Sequence, residues 1–407
     1  MKNKLWALGS KLCAENTIKD HRRSARLVFG VTLMLVTITL FSIPSSATIG
    51  NIVKSDLTGT WQIALTGTTG CGKVAMQATA TLNSAGKGTA TLTTHGDCGD
   101  STLSGQTFNI NTLATNGSGT AGLSCGTACG WNFNIQVSPD RTRFNLVDVS
   151  TVNPGNYVQG VAILSSPAGD IVTPDLTGDW QATLYGNTGC GISAMLVTFT
   201  LNSSGQASNA TITGHAAGCA DATTGGLSFD IASLNPDGSG TAGLSCGTAC
   251  GWEFNIQVSP DRSSFNLVDV ATVNPFNYLA GVAIRQSTAG FISKTNLAGP
   301  WQLAIDSQTG CGTSAMLVSF TLNATGVANN ITTTSHTSGC GDGTVTGNTF
   351  TIQTLNADGS GTANLTCGPA CGWNLNIQVS PDRSTFNVVD VSSANPGNFM
   401  IGKAIHK

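Results

Sequence analysis

The feature that most constrains this chain is a threefold internal repetition. Asp56-Leu57-Thr58-Gly59-Thr60-Trp61-Gln62 returns as Asp175-Leu176-Thr177-Gly178-Asp179-Trp180-Gln181 and as Asn296-Leu297-Ala298-Gly299-Pro300-Trp301-Gln302, at offsets of 119 and 121 residues. Residues 119–163 recur almost letter for letter at 240–284 and more loosely at 361–405. Short polar joints, 165–174 and 286–295, separate the copies. The 407 residues thus divide into a leader, 1–47, and three units, 48–167, 168–287 and 288–407.

Composition fixes the class of each unit. Charged residues are 10% of the chain, against about 25% in ordinary soluble domains. Glutamate is nearly absent, while Thr and Val, which favour strands, are abundant. The 50 glycines imply many tight turns, and 15 Phe with 7 Trp are enough for several small cores. The fold class is therefore all-β.

In the first unit the pattern predicts eight strands, near 61–66, 74–82, 89–94, 107–113, 120–125, 131–137, 144–149 and 157–164. Trp131, Phe133, Ile135 and Val137 alternate with Asn132, Asn134 and Gln136, the period of a sheet with one buried face. Ser138-Pro139-Asp140-Arg141 suits a type I turn, and Asn116-Gly117-Ser118-Gly119 a hairpin. Short connections make a meander, and closing the meander removes its edges. Three tandem eight-stranded up-and-down barrels are the expected architecture, with a two-sheet sandwich as the alternative.

Leu57-Thr58-Gly59-Thr60-Trp61, and Gly130-Trp131 following Gly117-Ser118-Gly119-Thr120-Ala121, resemble motifs of the calycin group, the lipocalins and avidins. The resemblance implies a barrel that holds a small ligand at one open end. Each unit departs from the group in being shorter than a lipocalin, lacking a terminal helix and having two Trp, so no ligand contact carries over.

The leader resembles no part of a barrel. Seven basic side chains lie within residues 1–26, a charge-free apolar run spans 27–43, and Pro44-Ser45-Ser46-Ala47 follows. This is the pattern of a secretory signal cleaved near Ala47, with an uncleaved anchor as the alternative. Residues 48–407 carry 11 basic and 19 acidic side chains, a net of −8. Such a chain does not seek nucleic acid or anionic lipid. A secreted or periplasmic location is expected, with no membrane contact after cleavage.

Twelve of the thirteen cysteines fall four to a unit: Cys71, Cys98, Cys125, Cys129; Cys190, Cys219, Cys246, Cys250; Cys311, Cys340, Cys367, Cys371. In a meander these positions gather at one rim. An even count in an exported chain points to two disulfides per unit. Three pairings exist; the favoured one joins Cys71 to Cys98 and Cys125 to Cys129, which bracket a tight loop. A four-cysteine zinc site is the less favoured reading, because the spacing is not that of a zinc ribbon. No metal or cofactor is expected.

Further repeated polar residues map to the same rim. His95, His215 and His336 end the third strand, on the Thr91–Thr93 face and away from the core, where solvent is expected. Asp100, Asp221 and Asp342 follow the second cysteine of each unit. Asn156, Asn277 and Asn398 close the Asn-Pro-x-Asn turns. Asp148, Asp269 and Asp390 share strand parity with Phe144 and its counterparts; sequence leaves open whether they face the core or a neighbouring unit. A His with an Asp can serve as acid–base partners. Asn235-Pro236-Asp237-Gly238-Ser239-Gly240 resembles the start of a calcium loop but has no closing Glu, so a hairpin turn explains it.

These features favour an exported, non-enzymatic binding or interaction protein acting through the cysteine-bearing rim on a protein or small-molecule partner. A lipocalin-like carrier, a structural envelope or surface protein, and a hydrolase using the rim His and Asp are the alternatives. Trp180, Leu184, Met195, Val197, Phe199, Leu201, Ile212, Phe229, Ile231, Leu244, Trp252, Phe254, Ile256 and Val258 are the expected inward residues of the middle unit. Their bulk predicts an interior packed nearly solid, with no cavity larger than a few waters and any concave site confined to the rim near Cys190, His215, Asp221 and Cys250.

Overall fold

The computed structural model describes residues 50–125, 130–150, 155–245, 251–270, 277–366, 372–392 and 397–407. The expected leader, together with Cys129, Cys246, Cys250, Cys367 and Cys371, lies outside the described residues. The first unit forms β1 (Gly59–Thr69), β2 (Gly72–Leu82), β3 (Lys87–Gly96), β4 (Ser101–Leu113), β5 (Ser118–Ser124), β6 (Gly130–Val137), β7 (Arg143–Val147) and β8 (Tyr157–Leu164). Each strand pairs antiparallel with the next, and β8 returns to β1, closing an up-and-down barrel.

The second barrel comprises β9 (Gly178–Thr188), β10 (Gly191–Leu201), β11 (Gln206–Ala216), β12 (Ala222–Leu234), β13 (Ser239–Ser245), β14 (Gly251–Val258), β15 (Ser264–Val268) and β16 (Tyr278–Arg285). It closes through β16 and β9. The third repeats this order with β17 (Gly299–Thr309), β18 (Gly312–Leu322), β19 (Val327–Thr337), β20 (Gly343–Leu355), β21 (Ser360–Thr366), β22 (Gly372–Val379), β23 (Thr385–Asp390) and β24 (Phe399–His406). The expected three barrels are therefore the observed architecture. The strands differ from the expected bounds by a few residues, and β4 by most: it begins at Ser101, earlier than its apolar alternation suggests. A register shift opposite Thr91 absorbs the extra residues, with Gly105 at φ 70°, a backbone conformation that glycine tolerates.

Inward positions follow the period-2 alternation, and each barrel has its own core. One end of each barrel is closed by the chain that leads into it. In the first, a 3-10 turn at Lys54–Leu57 precedes Trp61, whose indole Nε1–H donates to the Leu57 carbonyl at 2.8 Å. Ile52 is buried in the same core, and its amide donates to Thr115 in the β4–β5 turn. Trp180 with Leu176, and Trp301 with Leu297, repeat the bond at 2.8 Å. Such a plug satisfies the indole while burying most of its ring.

The outer faces of the first, second, seventh and eighth strands are covered too, because the barrels pack on one another in a closed cycle. Ala64 and Ala75 of the first barrel meet Val268, Tyr278 and Ala280 of the second. Tyr185 and Ala194 of the second meet Val389, Phe399 and Ile401 of the third. Ala304 and Ala315 of the third meet Val147 and Tyr157 of the first. Largely equivalent positions serve at every seam, so the arrangement is pseudo-threefold. Asn145, Asn266 and Asn387, one to each seventh strand, donate Nδ2–H across the seams to the Lys403, Gln62 and Val282 carbonyls at 3.0, 3.2 and 3.0 Å.

At the closed ends the three β6–β7-type turns converge on one side chain. Arg143 is fully buried, and its Nη2 donates to Asp140, Asp261 and Asp382 at 2.8, 2.9 and 3.1 Å, one carboxylate from each barrel. Its Nη1 donates to the Ser263 and Ser264 hydroxyls at 2.7 and 3.0 Å. The positions equivalent to Arg143 are Ser264 and Thr385, so the cycle has a single guanidinium. A lone carboxylate triad of this spacing could take a cation; Arg143 already fills that role. Burial works against Asp140 ionising, but Arg143 and hydrogen bonds from Ser138 and Thr142 hold its pKa down at about 2.

Replacing Arg143 with Met leaves three carboxylates, each roughly a third exposed, facing one another. Urea unfolding at neutral pH is expected to show a loss of about 3–5 kcal/mol, the usual cost of stripping one partner from a buried ion cluster. Adding Asp140→Asn, Asp261→Asn and Asp382→Asn to the same chain should recover most of it. A loss below about 1 kcal/mol for Arg143→Met would show that the hub does not hold the barrels together.

Candidate functional site

The opposite end of each barrel carries the cysteine rim. Cys71–Cys98, Cys190–Cys219 and Cys311–Cys340 are disulfides, with Cα separations of 5.4, 5.3 and 5.1 Å. Each ties the loop after a barrel's first strand to the loop after its third. This is the first of the two expected pairings. The second, Cys125–Cys129 with Cys246–Cys250 and Cys367–Cys371, involves residues outside those described. Asn156 and Asn277 add to the tie, their Oδ1 atoms accepting from the Gly70 and Gly189 amides at 3.3 and 3.1 Å. Asn398 is half-buried at the equivalent place.

The rim histidines are not on solvent faces, contrary to the sequence expectation. His95, His215 and His336 do point away from their own cores, yet each is 2% exposed. The outer face that alternation assigns to them is a seam, and the neighbouring barrel covers it. His95 lies against Tyr278 with ring centroids 4.9 Å apart, His215 against Phe399 at 4.4 Å, and His336 against Tyr157 at 4.5 Å. Nδ1 of each contacts an aspartate of its own barrel: Asp100, Asp221 at 2.6 Å and Asp342 at 2.6 Å. All three Nε2 atoms are buried with no hydrogen-bond partner.

Asp148, Asp269 and Asp390 are buried as well. Phe144 and Leu146 belong to the first core, and Asp148, just past the end of β7, lies where the first barrel meets the third. Its Oδ1 accepts from the Ser150 amide at 2.9 Å, and Asp390 accepts from Ser392 at 2.9 Å. Burial raises the pKa of Asp148 to about 6 against the opposing pull of His336 across the seam. Asp390 is raised to about 6 by burial, with His215 again pulling down. The rim histidines therefore sit inside joints between barrels, beneath aromatic rings, while Asp100, Asp221 and Asp342 remain exposed at the edge.

The interior of the middle barrel departs from expectation in a more consequential way. All the expected inward residues are in its core, and toward the closed end they pack tightly: Phe199 stacks on Phe229 at 4.2 Å, and Trp180 meets Phe265 at 4.8 Å. Toward the rim, however, a cavity of ≈ 560 Å³ opens between Cys190, Cys219 and Asn277 and reaches Met195, Ile212, Leu227 and Trp252. The nearly solid interior predicted from the large side chains is thus incorrect for the rim half. The reason lies in residues that list omitted. Ser193, Gly214, Ala216 and Ala222 line the upper wall and leave the volume unfilled. The signal was present as Ile212, Gly214 and Ala216, alternate residues of decreasing or minimal size on one strand face. Of the expected rim residues, Cys190, Cys219 and Asn277 line this cavity, while His215 and Asp221 do not.

No family model matches the chain, and no curated protein matches it in sequence. Among solved structures it is similar to a DUF3598-family protein of unknown function from Nostoc punctiforme PCC 73102, at 10% identity over 58% of this chain and 100% of that one, with a TM-score of 0.20. Transferrin binding protein B from Haemophilus parasuis shares 9% identity over 85% and 75% of the two chains, with a TM-score of 0.27. Kievitone hydratase from Nectria haematococca shares 9% over 89% and 95%, with a TM-score of 0.22. Likenesses this distant carry no argument about binding or catalysis. The eight-stranded up-and-down barrel is present as architecture, three times over.

The seam carboxyls generate a pH prediction. An aspartate raised from 3.8 to about 6 keeps its proton in the fold after the unfolded chain has lost it. Stability is then greatest below about pH 4 with respect to these groups, falls as pH rises to 6, and is flat above. The slope approaches about 1.4 kcal/mol per pH unit for each carboxyl. Urea unfolding between pH 4 and pH 7 should show this fall, and Asp148→Asn with Asp390→Asn should flatten it. An unchanged slope in the double variant would contradict the assignment.

Proposed function

We propose that this is an exported small-molecule-binding protein whose ligand site is the open mouth of the middle barrel. The observation that carries the reading is the ≈ 560 Å³ cavity, lined by Met195, Ile212, Leu227 and Trp252 and open at the disulfide rim. Ligand sites of about 300–1,000 Å³ are typically concave, largely apolar and preformed, with a few polar groups at their edge. Ser193 and Asn277 supply such groups here. The carrier reading therefore stands ahead of a rim that acts through its histidines, because those side chains are engaged in the seams.

Two further features support the reading. Disulfides persist in oxidising compartments, which agrees with the secretory pattern of residues 1–47 and with a secreted or periplasmic site of action. The Cys190–Cys219 bridge and the Asn277 bond to Gly189 fix the loops around the opening, so little ordering is left for a ligand to impose. A binding role needs no catalytic group in the mouth, and the proposal assigns none.

N-Phenylnaphthylamine, an uncharged dye that fluoresces in apolar surroundings, is expected to bind saturably. Gly214→Phe is the matched variant: a Cβ at Gly214 meets only the Met195 Cγ, at 3.9 Å, so the ring can enter the cavity without striking backbone. That variant should remain folded by thermal melting and weaken binding at least about tenfold. Undiminished binding by folded Gly214→Phe would place the site elsewhere.

A further inference from the structure

The three barrels share a plan but not a mouth. Each keeps a methionine and a tryptophan at equivalent places: Met76 and Trp131, Met195 and Trp252, Met316 and Trp373. Several other lining positions have diverged, among them Ser193, Ala216, Ala222 and Thr224, and three others change the character of the wall. Ile212, Gly214 and Leu227 of the middle barrel correspond to Leu92, Thr94 and Gln106 of the first and to Thr333, Ser335 and Asn348 of the third. The change is chemical as well as steric. In the third barrel Asn348, 3% exposed, donates Nδ2–H to the Thr333 hydroxyl at 3.0 Å. Amide and hydroxyl thus meet where the middle barrel presents the carbon side chains of Leu227 and Ile212 to its cavity. In the first barrel Gln106 donates to the Ser104 carbonyl at 2.6 Å.

Resting on the function proposed above, we infer that the middle mouth takes an uncharged, apolar ligand and that positions 212, 214 and 227 set this preference, distinguishing it from the other two mouths. Among the described residues, no charged side chain lines the cavity. An ion moved from water into such a lining would lose hydration without gaining a partner, so its burial is opposed. An apolar body of the same shape gains from leaving water in proportion to the area it buries. Gly214 provides the space, and Ile212 and Leu227 provide the carbon surface. Substituting the third barrel's residues withdraws both and adds groups that compete for hydrogen bonds.

The test uses the full chain, N-phenylnaphthylamine and its sulfonated relative anilinonaphthalene sulfonate, with stoichiometry read by fluorescence titration and calorimetry. The wild type should bind the neutral dye at one site per chain, and the sulfonate at least about tenfold more weakly. Ile212→Thr with Gly214→Ser and Leu227→Asn should abolish the site while the thermal melt stays cooperative. The reciprocal graft, Thr333→Ile with Ser335→Gly and Asn348→Leu, should raise the count to two, a gain that misfolding cannot imitate as saturable binding. Two or three sites in the wild type, equal affinity for the sulfonate, or grafts that leave the count at one would overturn the inference. Failure of the wild type to bind the neutral dye at all would instead sink the function on which it rests.

Discussion

The arrangement depends on one guanidinium placed where three barrels meet. A threefold point has room for one such group, and three carboxylates converge on its Nη2 while Nη1 donates to Ser263 and Ser264. The repeats are therefore identical in plan but cannot be identical in sequence. Asp140, Asp261 and Asp382 recur in all three turns, whereas Arg143 gives way to Ser264 and Thr385. Around this hub the apolar seams close the cycle, and the seam asparagines reach across to neighbouring backbones. A string of separate barrels would leave every outer face to water; this one buries the side formed by the first, second, seventh and eighth strands against the next barrel.

Closing the cycle decides what is available for function. The histidines that sequence places at the rim become parts of joints, covered by Tyr157, Tyr278 and Phe399. The open end of the middle barrel keeps free volume. The two regions share a strand. In β11, Gly214 and Ala216 face the cavity while His215, between them, faces the third barrel. What a ligand meets and what the seam meets are thus adjacent residues of one ladder, placed on opposite sides by strand geometry.

Much of the barrel architecture was legible in the sequence, because strand parity and turn residues act locally. Trp131, Phe133, Ile135 and Val137 read inward and are inward. Parity was also right for His215, which does point away from its core. What parity cannot state is what lies against a face, so an outer position was assigned to water when another barrel occupies it. The outward Val147, Val268 and Val389 carried that information: an apolar side chain repeated on an outer face calls for a cover. The cavity is hard to read from sequence for a different reason. Large residues announce a core, but a void is made by small ones, and Gly214 and Ala216 read as ordinary strand-end residues. Arg143 was visible only as an irregularity among near-copies.

The central claim is that the three barrels form a closed cycle and not a string, and solution scattering on residues 48–407 tests it directly. A compact chain of that length has a radius of gyration of about 21 Å. Three barrels strung out on their joints would give roughly 28 Å or more, since most of the mass then lies far from the centre. The closed arrangement predicts a value near the lower figure, unchanged on dilution, and a value near the higher one would contradict it.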